Sequence, residues 1–471
     1  MIFNSMIFLW VFLPLSLILY FFIKDKYKNL LLVLLSIVFY AWGEPTYILL
    51  LLISVLINYI MAILIDRAEE SGKRKIFFIL AIIFNIAILV YYKYFNFTIA
   101  NINKLFSTNI NQIKEVALPL GISFYVFSSI SYIFDIYRKD CKAQKNIINM
   151  ALFILFFPKL LMGPIERYKE FEEQIKVENR KISIESFKVG ITRFTYGLAK
   201  KVLIADVVAK VADATFNTNV ASLSTPLAWL GALCYMIQIY FDFSGYSDMS
   251  IGLAKMFGFE LMENFDLPYT SQSITEFWRR WHISLGSWFK NYLYIPLGGN
   301  RKGKFRTYIN LLIVFIATGI WHGAAWNYIA WGLFNGLFMI IERIKLKELI
   351  DKNECKIINH LYALFVTFIG WILFRANGLK NAIKYIKLLF INNNTTIQIY
   401  NILTNRTIIT IIMAILLSGL VQLIFKKIKN LDKIKTYYKR YLEPVCIGIL
   451  LILCIMSIVN STYSSFVYFK F

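Results

Sequence analysis

The chain has 471 residues, of which 58% are hydrophobic and 17% aromatic, and its mean hydropathy is +0.59. This balance excludes a soluble enzyme with polar linkers and predicts an integral membrane protein made of one polytopic domain. The net charge of +23, from 51 basic and 28 acidic residues, resides in short loops beside apolar runs, so membrane topology accounts for it better than a nucleic-acid partner, and none is expected.

Residues 7–23 form the first expected span, and Lys24, Lys26 and Lys28 hold its far end in the cytoplasm. With no lysine before it, this helix reads as a retained anchor with an outside N-terminus, the reverse of a secretory signal. Residues 30–42 make a short run of about 20 Å, ending where Pro45 forces a turn. Residues 47–65 return to the basic loop Lys73, Arg74, Lys75. Residues 76–97 go out, and 116–137 come back to Arg138, Lys139, Lys142 and Lys145. Residues 147–162 run into FFPKLLMGPIER, where Pro158, Gly163 and Pro164 interrupt any helix before a full crossing. Such a broken segment is tolerated only where protein or a cavity shields its backbone.

Residues 167–181 read as a cytoplasmic amphipathic surface. Beyond Phe187 the pattern turns apolar but carries Arg193, Lys200, Lys201 and Asp206, which suggests a helix facing a wet interior. Residues 226–243 form a span that enters DFSGYSDMSIG. Then come the basic, glycine-rich FWRRWHISLGSWFKNYLYIPLGGNRKGKF, an apolar run over 308–320, and WHGAAWNYIAWG. Residues 328–341 lead to Arg343, Lys345 and Lys347 in the cytoplasm, 357–374 exit, 408–425 re-enter, and 444–460 exit again. Between them, 378–390 carries three lysines and is expected to lie in the interface as an amphipathic helix. The scheme gives about eleven crossings plus short or re-entrant pieces, with the C-terminal residues outside.

The five cysteines show no CxxC or disulfide spacing, so neither metal nor redox chemistry is expected. The three histidines are more informative. His322 follows Trp321 at the end of an apolar run that starts near Arg306, about 20 Å into the membrane. A neutral imidazole there suits general base catalysis, although a hydrogen bond between helices is the bland alternative. His282, beside Arg279 and Arg280, either orients a thioester or braces Trp278 and Trp288. His360 reads as an interfacial residue. The cations Arg279, Arg280, Lys290, Arg301, Lys302 and Lys304 around Gly298 and Gly299 suit the phosphates of a nucleotide-bearing donor, or simply obey the positive-inside rule. Asp242 and Asp248 would serve ion translocation or, more economically, a structural network with Ser244, Tyr246 and Ser247.

WRRWHISLGSWFKNYLYIPLGGNR and GIWHGAAWNYIAWG resemble the signature blocks of the membrane-bound O-acyltransferase superfamily, in its bacterial alginate O-acetyltransferase-like and peptidoglycan O-acetyltransferase-like branch. FYAWGEP, LPLGISFYVFSSISYIFDIYR, FFPKLLMGPIER, GLAKKVLIAD, QIYFDFSGYSDMSIG and WILFRA match further blocks in order. The resemblance implies an all-α ring of tilted transmembrane helices around a central channel, in a bacterial plasma membrane. It implies His322 as the catalytic histidine, His282 as the second, cytoplasmic-side histidine, and acetyl-CoA as co-substrate with no bound cofactor. It further implies an exported polysaccharide acceptor and an SGNH-like extracellular acetyltransferase partner. The tail FVYFKF, residues 466–471, fits a pattern in which Tyr468 carries the acyl group, with Ser465 where relatives often have proline. D-alanyl transfer to teichoic acid is the alternative within the class. A proton-coupled transporter using Asp242, Asp248 and His322 is the alternative outside it.

Overall fold

The computed structural model describes residues 1–112, 117–352, 355–393, 403–422, 424 and 437–460. These residues are helices and their connections, with a single isolated antiparallel bridge between Phe265 and Trp281. Among the described residues five helices are long and apolar enough to cross a membrane: Ile48–Arg67, Ser71–Phe106, Thr225–Met256, Gly303–His322 and Lys356–Arg375. With the shorter apolar helices Phe8–Phe22, Asn405–Leu420 and Glu443–Val459, they make a multi-pass membrane architecture.

The principal helices are labelled in chain order. They are α1 Phe8–Phe22, α2 Asp25–Gly43, α3 Ile48–Arg67, α4 Ser71–Phe106, α5 Ile122–Arg138, α6 Ile147–Leu155, α7 Thr225–Met256, α8 Ile274–Arg280, α9 Ile283–Phe289, α10 Gly303–His322, α11 Trp326–Ile341, α12 Lys356–Arg375, α13 Leu379–Leu388, α14 Asn405–Leu420 and α15 Glu443–Val459. They pack as two compact units, Met1–Phe194 with Ser247–Met262, and Thr195–Tyr246 with Glu263–Phe471.

In the first unit, α2 has 19 residues, longer than the short run expected. Its charged first turn is helical as well, because Lys28 reaches back to Asp25 at 2.8 Å. Asn58 of α3 and Asn85 of α4 exchange amide hydrogen bonds of 2.7 and 3.2 Å, the kind of polar contact that joins membrane helices without a hydrophobic driving force. The interrupted segment forms as the prolines require. Helix α6 stops at Leu155, a short turn follows over Phe157–Leu160, and every residue from 150 to 166 is buried, so protein shields the broken backbone.

The second unit is organised by the α10–α11 hairpin. A Cβ on Gly319 would sit 2.3 Å from the Tyr328 carbonyl oxygen, and one on Gly332 2.3 Å from that of Phe315. Glycine at both places lets the two backbones touch, as small residues do at membrane helix interfaces. Helix α13 is amphipathic as expected, burying Ala382, Tyr385 and Leu388 and exposing Lys380, Lys384 and Lys387.

A candidate active site on two histidines

His322 is the last residue of α10. The helix ends because Gly323 turns extended, at φ −175° and ψ 155°. A Cβ on Gly323 would lie 2.3 Å from the Tyr328 ring, so glycine lets that ring cover the turn. The imidazole is 4% exposed. Its ring centroid lies 4.7 Å from Trp321, 5.0 Å from Trp331 and 4.9 Å from Phe374, each near edge-on. Trp331 in turn packs on Trp278 and Trp371, so the histidine sits in an aromatic wall that excludes water.

Asn327 fixes one side of this wall. Its side-chain amide donates to the carbonyls of Leu373, Phe374 and Ala376 at 3.3, 3.4 and 3.2 Å. The last turn of α12 has no intrahelical donors for the Leu373 and Phe374 oxygens, so the amide both satisfies them and holds Phe374 against His322. Glu342 plays the matching part for α8, accepting from Ile274 N, Thr275 N and Thr275 Oγ1 at 2.5, 2.8 and 2.6 Å.

His282 caps α9 from a left-handed conformation, φ 46° and ψ 57°, and is 2% exposed. Asn264 organises it. The Asn264 carbonyl accepts from Ile283 N at 3.0 Å. Its Oδ1 accepts from Ser284 N at 3.2 Å and Ser284 Oγ at 2.6 Å. The backbone donor identifies that atom as the amide oxygen, so His282 Nδ1, 3.3 Å away, must carry the proton. Its Nε2 is then a lone-pair nitrogen, buried and without a hydrogen-bond partner among the described residues. Burial pushes the pKa of this imidazole down to about 3 and keeps it neutral.

The two histidines share one indole. Trp321 lies 6.3 Å from the His282 ring and 4.7 Å from His322, and Phe243 supports His282 from α7 at 4.6 Å. Bracing of Trp278 and Trp288 is one of the two roles the sequence offers His282. Trp278 instead packs on Phe315 and Trp331, and Trp288 on Phe289 and Tyr292.

Asp242 and Asp248 meet different cations. Asp242 meets Lys201 at 2.7 Å, and Lys201 also meets Asp206 at 2.7 Å. Asp248 instead pairs with Arg193 at 2.9 Å. Lys201, expected to face a wet interior, has a side chain with no exposed surface. Two carboxylates in reach compensate its charge, so burial in protein replaces water.

Of the cationic rim, Arg279, Lys290, Arg301, Lys302 and Lys304 are exposed, and Arg280 pairs with Glu276 at 2.8 Å. Gly298 and Gly299 have φ of 106° and 55°, and Asn310 Nδ2 binds the Gly299 carbonyl at 2.9 Å. The glycine pair therefore has a turn to make. His360 Nδ1 donates to the Ser271 carbonyl at 3.1 Å. Tyr468 and the tail motif lie outside the described residues. Among the described residues no group of three or more His, Cys, Asp or Glu could hold a metal ion.

A model of the membrane-bound O-acyltransferase family matches residues 142–381. A Pseudomonas putida protein described as a probable alginate O-acetylase is 39% identical over 100% of both chains. The peptidoglycan O-acetyltransferase of Helicobacter pylori is 34% identical, over 82% of this chain and 79% of its own. The teichoic acid D-alanyltransferase of Bacillus subtilis is 31% identical, over 47% of this chain and 58% of its own.

Proposed function

The chain belongs to the membrane-bound O-acyltransferase family and is an O-acyltransferase, and on that premise we propose that it moves an acetyl group from cytoplasmic acetyl-CoA across the membrane for O-acetylation of an exported polysaccharide. The observation that carries this reading is the pair of buried histidines on the Trp321 indole, of which His322 ends a helix able to cross a membrane. His322 accepts the proton of an acceptor hydroxyl as its oxygen attacks the thioester carbonyl. The carbon–sulfur bond breaks, and the proton passes to the departing thiolate, giving an ester and free CoA. His282, neutral with Nε2 as an acceptor, positions the donor from its own side of Trp321. The aromatic wall keeps water from competing for the thioester.

The first acceptor in this scheme is Tyr468 in the tail. A phenol, of pKa about 10, is a better leaving group than a sugar hydroxyl, so its ester passes the acetyl onward to an SGNH-like transferase outside. Both termini lie outside the plasma membrane. Acetyl is preferred to D-alanyl because likeness to the O-acetylase runs through the whole chain, whereas likeness to the D-alanyltransferases covers about half of it. The test is to supply membranes holding the chain with radiolabelled acetyl-CoA or, separately, D-alanine with its activating system. Label from acetyl-CoA alone is expected in polymer, and label from D-alanine alone would overturn the assignment.

A further inference from the structure

In the second unit, helices α7, α12 and α14 enclose a cavity of about 620 Å³, within the range of small-molecule sites. Its walls are Trp229, Leu233 and Ile237 of α7, Leu364 and Phe368 of α12, and Ala414 of α14. The polar atoms of its described lining are turned toward protein. Trp229 Nε1 donates to the Leu389 carbonyl at 3.0 Å, and Tyr269 Oη donates to that of Met236 at 2.7 Å and accepts from Trp371 Nε1 at 3.1 Å. Thr270 Oγ1 donates to the Leu267 carbonyl at 2.8 Å and Ser418 Oγ to that of Ile415 at 2.8 Å. What the cavity offers an occupant is therefore apolar surface.

Its length suits a hydrocarbon chain. The lining runs from Trp229 to Phe241 along α7 and from His360 to Phe368 along α12, about 18 and 12 Å at the helical rise. Both helices are long and apolar enough to cross a membrane, so the slot lies along the direction in which lipid tails lie. Helix α14 closes it by bending at Gly419, φ 145°, where a Cβ would meet Thr270 Cγ2 at 2.2 Å.

At the Trp229 and Phe368 end Phe390 lies 6.4 Å from Trp229, and Thr225, one turn before Trp229, bonds the Leu388 carbonyl and Asn393 N. At the other end stands His360, with exposed Lys356 one turn earlier on the same face of α12. Arg280 donates there to Thr270 Oγ1 at 3.2 Å. Glu276 compensates Arg280 at 2.8 Å, so Lys356 carries the positive charge that complements an amphiphile with a negative head at the mouth of this apolar slot.

We propose that this cavity binds one acyl chain of an anionic glycerophospholipid, with its phosphate at the Lys356, His360 and Arg280 end. The chain would lie against Tyr269, whose hydroxyl holds Trp371. Trp371 packs on Trp331, which packs on His322. The bound lipid thus buttresses the wall of the histidine site.

The test uses the full chain purified in detergent, delipidated, and titrated with phosphatidylglycerol or phosphatidylcholine carrying brominated acyl chains, which quench nearby indoles. Phosphatidylglycerol should quench Trp229, seen as fluorescence loss in the wild type that Trp229→Phe lacks. Filling the slot with Ala414→Phe should weaken that binding about tenfold or more. Lys356→Glu, at an exposed position that leaves the fold intact, should reduce the preference for phosphatidylglycerol over phosphatidylcholine about fivefold. Native mass spectrometry should find one phospholipid on the wild type. The proposal is overturned if Trp229→Phe is quenched as strongly as the wild type, if the two headgroups bind alike, if Lys356→Glu changes neither, or if another polypeptide co-purifies in the lipid's place.

Discussion

Asn264 Oδ1 lies 3.3 Å from His282 Nδ1 and already accepts from the Ser284 backbone and hydroxyl, so one amide oxygen decides which nitrogen of the histidine holds the proton. That contact turns a buried imidazole into an acceptor aimed by Nε2, and it makes the position sensitive to acid. An unfolded imidazole protonates near pH 6.5, whereas burial holds this one neutral down to about 3. Between those values the unfolded chain binds more protons. The stability His282 contributes is therefore complete above about pH 6.5 and is lost as the pH falls toward 3, by at most about 1.4 kcal/mol per pH unit.

Asn264→Asp puts a carboxylate beside Nδ1, stabilises the imidazolium and raises the histidine's pKa. Nitrogen NMR of labelled protein should show a single neutral Nδ1–H tautomer in the wild type at pH 5 and a doubly protonated ring in the variant. The same neutral tautomer in both would contradict the assignment of the Asn264 contact.

Asn327→Ala removes the donor shared by three carbonyls at the end of α12 and frees Phe374 from His322. It should cost about 1–3 kcal/mol of stability and lower turnover about tenfold to a hundredfold through misplacement of the histidine's wall. Asn327→Asp, which sets a carboxylate against the same carbonyls, should be worse in thermal unfolding. An aspartate variant as stable as wild type would rule out this role.

Lys201→Met leaves Asp206 and Asp242 buried around an apolar side chain. Breaking such a group by removing one partner costs about 3–5 kcal/mol, so the variant should fall sharply in folded yield. Lys201→Met combined with Asp206→Asn and Asp242→Asn should recover part of it. Equal yields for the single and triple variants would mean that charge compensation is not what Lys201 supplies.

Tyr468→Phe keeps an aromatic tail and removes only the hydroxyl. Polymer acetylation in cells should be lost at unchanged protein level. Acetylation at the wild-type level would leave the tail as part of an aromatic belt at the membrane surface.

How much was legible in the sequence follows from what each residue depends on. His322 and His282 stood out because a histidine after a tryptophan, in an apolar run or beside arginines, is costly unless it is used. The break after Leu155 was legible because proline and glycine act locally. Asn264, Asn327 and Glu342 were missed, since a polar side chain looks the same in sequence whether or not it bonds the end of a distant helix. Lys201 was misread for a related reason. Its periodicity reports that it faces inward, but whether water or a carboxylate besides Asp206 awaits it depends on Asp242 of α7, far along the chain. The early length of α2 was underestimated because its first turn is charged, and hydropathy does not register a Lys28 that folds back onto Asp25.

The most direct measurement is acetyl transfer from radiolabelled acetyl-CoA by purified wild type, His282→Ala and His322→Ala, each over a range of donor concentration and each with its thermal midpoint recorded. His322→Ala should lose about 10²- to 10⁴-fold in turnover while remaining folded, and His282→Ala should mainly require more donor. Wild-type transfer by folded His322→Ala, or equal losses in the two variants at saturating donor, would contradict the account.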